Sequence, residues 1–263
     1  MFEYDATTTS FFEIPPYFFF SVIGIVFASS LFILLLLKHN FDISRFTKIF
    51  LLSGIGLMIG GFFFGYLSNI YMALARGTPI TLEIFSSSGF VFYGGLIGFL
   101  LFFLLLCKIC EKTINYAIFD LVAICIPLFH FWGRLGCFFG GCCFGVETHS
   151  LFSIQYTTYI YGGEISTATR VPIQLFEALL NLIIFIFLLV LSNKNMFKSN
   201  LIYLYLYLYS IMRIFLEFLR GDTARGVWNG ISFSQVVSVL IIIICTTLLI
   251  RINKGRKRIN ENH

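Results

Sequence analysis

The sequence predicts an all-α polytopic membrane protein of seven transmembrane helices, its N-terminus outside and its C-terminus cytoplasmic, and three observations carry that prediction. Of its 263 residues 58% are hydrophobic and 19% aromatic, and only 12% are charged, a balance well outside the soluble range. Apolar runs repeatedly reach the roughly 20 residues that a helix needs to cross the hydrocarbon core. They lie at roughly 17–37, 49–73, 88–107, 115–132, 173–192, 200–219 and 231–251. The connections between them alternate in charge. Lys38, Arg45 and Lys48 follow the first span, Lys108 and Lys112 the third, Lys194 and Lys198 the fifth, and "RINKGRKR" the seventh. Basic loops face the cytoplasm, so the N-terminus, the loop 74–87, the segment 133–172 and the loop 220–230 lie outside.

No polar half is left over for a soluble domain, so residues 1–263 read as a single membrane-embedded domain. Residues 146–172 form an outer loop or small hairpin that would serve as a cap, and 252–263 a basic cytoplasmic tail. That tail reads as a topology signal, and the bilayer, not nucleic acid, is the partner it implies. The opening "MFEYDATTTSFFEIPP" is acidic and lacks the basic start of a cleavable signal peptide, so the first span is expected to stay in place.

Along the chain, the informative places are where polar or small residues interrupt apolar runs. Span 3 contains "SSSGFVFYGGLIGFL", in which Gly94, Gly95 and Gly98 make a small face that a neighbouring helix or a lipid tail can approach closely. Tyr93, directly before them, reads equally as an interface aromatic or a site hydroxyl. Span 4 places Asp120 near its inner end, Pro127 as a kink, and His130, Trp132 and Arg134 towards the outer boundary. His130 beside aromatics reads first as a packed interfacial residue. "GRLGCFFGGCCFG" (133–145) follows, with Gly136, Gly140, Gly141 and Gly145 allowing sharp turns and close backbone approach. Of the seven cysteines, Cys107, Cys110, Cys125 and Cys245 lie in or at the ends of spans and read as packing. Cys137, Cys142 and Cys143 stand apart.

Span 6, "LIYLYLYLYSIMRIFLEFLRGD", is the strongest intrusion of charge. A charge at membrane depth costs about 2.5–3.5 kcal/mol on insertion scales, so those that persist face a cavity or a partner. At about 100° per residue Tyr209, Arg213, Glu217 and Arg220 share one helical stripe. The period-two Tyr/Leu alternation before them suits a strand, but an open strand cannot satisfy its backbone in lipid, so helix is expected. Arg213 and Glu217 read either as a structural ion pair or as site residues, and Arg220 either as a site residue or as an arginine reaching to head groups.

These stretches, together with "RVPIQLFEALLN" and "ISFSQVVSV", resemble bacterial phosphatidylglycerol–prolipoprotein diacylglyceryl transferases. Five separated motifs fall in order between roughly residues 17 and 251. The resemblance implies transfer of the diacylglyceryl group of phosphatidylglycerol to the thiol of a prolipoprotein lipobox cysteine, with release of glycerol phosphate, in the bacterial cytoplasmic (inner) membrane and without a cofactor. It implies functional roles for Arg134, Gly145, Tyr209, Arg213, Glu217, Arg220, Gly94, Gly95, Gln174 and Glu177. The chain also departs from the family. Tyr93 stands where the family usually has His, Cys137 and Cys142 where its signature loop has Asn and Glu, Val171 where it has His, and Ile23 in place of a tyrosine.

Chemistry fits the arginines independently, since a planar guanidinium fork matches the oxygens of a phosphodiester. Arg134, Arg213 and Arg220 are expected to hold the lipid phosphate, with Glu217, Gly94, Gly95, Gly145, Gln174 and Glu177 completing the lipid site. Tyr209 or Tyr93 would take or orient the acceptor's proton. The cysteines leave alternatives open: Cys137, Cys142 or Cys143 as a nucleophile of the enzyme itself, acting on another acceptor; a disulfide or redox pair; or, with His130 or His149, a metal site, although no metal is assigned from the spacing. A lipid-binding protein without catalysis is a further alternative.

Overall fold

The computed structural model describes residues 2–7, 9–80, 89–111, 115–159, 165–194, 199–221 and 227–261. Seven helices account for most of them: α1 (Pro16–Lys38), α2 (Ile43–Arg76), α3 (Phe92–Cys110), α4 (Ala117–Phe139), α5 (Ile173–Asn193), α6 (Leu201–Glu217) and α7 (Phe233–Glu261). Each expected span has its helix. Six are long and apolar enough to cross a membrane; α6, with 17 residues, falls short of that length.

The all-α expectation needs one correction, because small strands cover one end of the bundle. β1 (Phe2–Asp5) runs parallel to β2 (Ile154–Tyr159), and β2 is antiparallel to β3 (Ile165–Arg170). β4 (Val227–Trp228) and β5 (Ile231–Ser232) form a two-stranded ribbon before α7. The segment 146–172 thus contains a hairpin, to which the N-terminus adds a third strand. Tyr4 secures that strand, its hydroxyl donating to the carbonyl of Phe139 at 2.8 Å.

Helix boundaries follow capping chemistry more than hydropathy. Asp42 caps α2 by accepting from the Arg45 backbone N–H at 3.0 Å, and Gly77 ends it in the left-handed region at φ 65°. The resulting 34 residues span about 51 Å, well beyond the expected run 49–73, because apolarity marks only the lipid-facing part of a capped helix. Helix α4 likewise continues seven residues past 132, so Gly133–Phe139 is helical and the turn begins at Gly140. Gly136 serves close packing there: a methyl on it would sit 3.1 Å from the Tyr17 Cα of α1.

Helices α2 and α3 pair through glycines. A methyl on Gly56, Gly60, Gly94 or Gly98 would run into a backbone carbonyl of the opposite helix, so the two backbones touch directly. Helix α4 is the most enclosed, burying Ile118 and Leu121 through Pro127 against its neighbours. Cys107, Cys125 and Cys245 are buried as expected, whereas Cys110 is exposed at the end of α3.

Polar contacts tie the helix ends together at the end of the bundle away from the strands. Lys38 Nζ donates to Asn193 Oδ1 at 2.5 Å, and Arg45 pairs with Glu111 at 2.7 Å. Asp120 accepts the backbone N–H groups of Ser199 (2.5 Å) and Leu201 (2.9 Å). A carboxylate from α4 therefore supplies the N-terminal cap of α6, where unsatisfied donors and the helix dipole favour negative charge.

Candidate functional site

Helices α4, α5 and α6 carry charges into the bundle interior, where they meet. Arg134 Nη2 lies 2.8 Å from Glu177 Oε1, and Arg213 Nη1 lies 3.6 Å from Glu177 Oε2. Arg213 also pairs with Glu217 one turn on, at 2.8 Å, and the Ser234 hydroxyl of α7 donates to the same Glu217 Oε2 at 2.9 Å. Glu177 is 1% exposed and the other three charged residues are no more than 7% exposed. A carboxylate or guanidinium so deep survives only when paired, and here ion pairs link α4, α5 and α6 while the Ser234 hydroxyl joins Glu217 from α7.

Local sequence explains how each group arrives. Pro172 and the start of α5 direct Gln174 and Glu177, three residues apart, to one face. Gln174 donates to the Cys142 carbonyl at 2.7 Å, and Asn181, one turn further, donates to the Glu177 carbonyl at 2.8 Å. Arg213 and Glu217 are four apart on α6, the favourable helical spacing. Arg220, expected on the same stripe, lies beyond the helix. Helix α6 ends at Glu217, Arg220 N–H closes a tight turn onto the Glu217 carbonyl at 3.2 Å, and Arg220 pairs as an isolated bridge with Gly145. Gly145 is the residue that permits this crossing, since a methyl there would sit 2.6 Å from Val171 and 2.8 Å from the Leu219 carbonyl. Arg220 is nonetheless buried, at 7% exposed.

An aromatic wall lines the network. His130 accepts a hydrogen bond from Arg134 Nε at 3.1 Å, which makes it a neutral imidazole in this arrangement. Phe92 stacks on the His130 ring at 3.6 Å, and Tyr209 lies 5.2 Å from both His130 and Tyr93, centroid to centroid. The Tyr93 hydroxyl shares a 2.5 Å hydrogen bond with Ser238 of α7. On the far side of Phe92 an apolar cavity of about 230 Å³ runs between α1, α2, α3 and α4. Gly95, Leu96 and Phe129 line it, and the exposed side chains of Ile25, Leu51 and Met58 stand at its rim.

Beside Arg134, the three cysteines converge. Their Sγ atoms all lie within 4.8 Å of one another, and Arg134 Nη1 is 4.0 Å from Cys137 Sγ. Cys137 is buried on the last turn of α4, Cys142 is exposed and Cys143 half-buried. Hydrogen bonds from the Cys137 and Cys142 thiols, and then the positive charges of Arg220 and Arg134, hold the Cys143 thiol well below the ordinary thiol range.

Of the sequence-predicted residues, Arg134, Glu177, Tyr209, Arg213 and Glu217 come together in one network, with Gln174, Tyr93, Arg220, Gly145, Cys137 and Cys142 around it. Gly94 lies on the α2 side of α3, in the helix contact, and Gly95 lines the cavity beside Leu57 of the same α2. His149 is exposed and outside the thiol cluster. Sequence reasoning undervalued His130 and passed over Ser234 and Ser238, whose four-residue spacing on an apolar helix was the available signal.

The family described as prolipoprotein diacylglyceryl transferase matches residues 6–251. Phosphatidylglycerol–prolipoprotein diacylglyceryl transferase 2 of Clostridium perfringens is 32% identical over 254 residues, covering 95% of each chain. The transferase of that name from Campylobacter jejuni (serotype O:6) is 30% identical over 257 residues, covering 90% of each. One from Helicobacter pylori J99 is 31% identical over 238 residues, covering 84% of this chain and 82% of its own.

Proposed function

Since the chain belongs to the prolipoprotein diacylglyceryl transferase family, we propose that it transfers the diacylglyceryl group of phosphatidylglycerol to a thiol acceptor, the lipobox cysteine of prolipoproteins. Glycerol phosphate is the leaving product. The observation that carries this reading is the buried Arg134–Glu177–Arg213 network set against an apolar cavity, with Phe92 stacked on His130 on one side and lining the cavity on the other. A phospholipid needs those two environments side by side.

In this reading all seven helices cross the bilayer of the bacterial cytoplasmic membrane, with the N-terminus outside. The strand-covered end, and with it the site, faces away from the cytoplasm. Acyl chains enter the cavity from the membrane between α1 and α2. The phosphate meets Arg134, Arg213 and Arg220, exchanging places with part of the Glu177 pairing. The acceptor sulfur attacks carbon 3 of the diacylglyceryl unit, and the electron pair of the breaking carbon–oxygen bond passes to the phosphate. Charge that grows on that oxygen is met by preformed guanidinium donors, an effect of about 3–4 kcal/mol per well-placed donor. Tyr209 and Tyr93 orient the headgroup and the acceptor.

Arg213→Lys tests the assignment better than Arg213→Ala. Alanine would strand Glu177 and Glu217 as unpaired buried carboxylates and confound activity with folding. Lysine keeps the charge and loses the fork, and transfer of diacylglycerol to a lipobox peptide should fall about 10²–10³-fold. The purified variant should keep its helical circular dichroism. Undiminished glycerol phosphate release would remove Arg213 from the site.

A further inference from the structure

The three thiols are unexplained by lipid binding, and their placement is specific. Side chains of consecutive residues ordinarily diverge, yet Cys142 and Cys143 aim at the same point as Cys137. Two left-handed residues, Gly141 at φ 64° and Cys143 at φ 58°, produce the convergence, and the Cys142 N–H donating to the Cys137 carbonyl at 3.1 Å closes the turn. A disulfide would use two sulfurs and leave the third idle; a soft cation uses all three. With metal–sulfur bonds of about 2.3 Å, tetrahedral thiolates stand about 3.8 Å apart, a short contraction from separations of at most 4.8 Å. Three thiolates around a divalent ion carry one net negative charge, and the Arg134 guanidinium, which also pairs with Glu177, reaches within 4.0 Å of Cys137 Sγ.

Among the described residues no histidine or carboxylate joins the cluster, so a tetrahedral ion held there keeps its fourth position open, the hallmark of a reactive site. Cys142 is exposed, so the cluster lies at the edge of the bundle. We propose that Cys137, Cys142 and Cys143 bind one zinc ion as thiolates, and that the fourth position takes the acceptor cysteine as its thiolate. The second half rests on the transferase reading. On coordination the acceptor S–H proton passes to water. The metal-bound sulfur then attacks carbon 3, the carbon–oxygen bond breaks toward the phosphate, and the neutral thioether, a weak ligand, departs. No electron is gained or lost overall.

A free thiol of pKa about 8.5 is roughly 3% thiolate at pH 7, whereas a coordinated one is fully deprotonated. Metal-free enzyme should therefore transfer about thirtyfold more slowly at pH 7 and recover as pH rises past the thiol pKa, while zinc enzyme stays nearly flat. The direct test uses full-length protein purified in detergent and loaded with cobalt. One cobalt per chain with intense tetrahedral thiolate bands is expected, absent in Cys143→Ser, and a lipobox peptide should shift the bands while its Cys→Ser counterpart does not. X-ray absorption of the zinc-loaded wild type, showing three sulfurs at about 2.3 Å, needs no variant to fold. Failure to bind cobalt or zinc, or a Cys137–Cys142 disulfide by mass spectrometry, overturns the site. Bands that ignore the cysteine peptide, or equal transfer by metal-free and zinc enzyme at pH 7, overturn the acceptor role and leave the transferase reading intact. A peptide-dependent shift without any glycerol phosphate release counts against the transferase reading and not against the site.

Discussion

Glu177 is the residue on which the buried network turns, because its two carboxylate oxygens pair with Arg134 and Arg213 respectively. Glu177→Gln removes the carboxylate that Arg134 pairs with at 2.8 Å and the anion between the two guanidiniums, in a buried interior. A loss of about 3–5 kcal/mol is expected, read as an earlier midpoint in denaturant unfolding. Replacing Arg134 and Glu177 together by Met should recover part of that stability while abolishing transfer, which separates the structural and catalytic uses of the pair. A fully stable single variant would mean that water reaches the network. Charged residues at membrane depth were legible as site candidates because their cost demands a partner. Which partner each would take was not legible, since Glu177 meets Arg134 and Arg213 only when three helices are packed. His130 shows the same limit: beside aromatics it reads as packing, and its hydrogen bond from Arg134 exists only in the folded bundle.

At the scale of elements, the α2–α3 pair is held by glycines whose roles diverge sharply with position. Gly98→Ala should push the helices apart and cost about 1–3 kcal/mol, because the added methyl would press on the Gly56 carbonyl. Gly54→Ala, on α2 two residues before Gly56 and with no atom near the added methyl, should be neutral or stabilising by up to about 1 kcal/mol. Thermal unfolding in detergent distinguishes them, and equal effects would argue against direct backbone contact. The glycine face was visible in "FYGGLIG", but its partners were not: Gly94 and Gly98 meet the α2 backbone directly, and Gly95 lines the cavity beside Leu57 of α2. Helix ends were the least legible feature. Asp120 caps a helix some eighty residues away, and the Gly133–Phe139 extension of α4 continues past the end of the apolar run.

For the whole molecule, the proposed topology makes a simple prediction. Green fluorescent protein fused after residue 263 should fluoresce, and alkaline phosphatase inserted at Ser150 should be active; the opposite pair of results would invert the orientation. What the amino-acid sequence determined by itself was the membrane setting, the position of seven helices and the family, because hydropathy, loop charge and spaced motifs are properties of the chain read locally. Tertiary structure alone decided the rest. It paired the N-terminal strand with residues 154–157, joined Arg134, Glu177 and Arg213, set Phe92 between charge and cavity, and gathered three sulfurs beside an arginine. Each of these joins residues through packing of separate elements or through left-handed turns, and the free energy that selects them comes from burial and pairing that no local stretch contains.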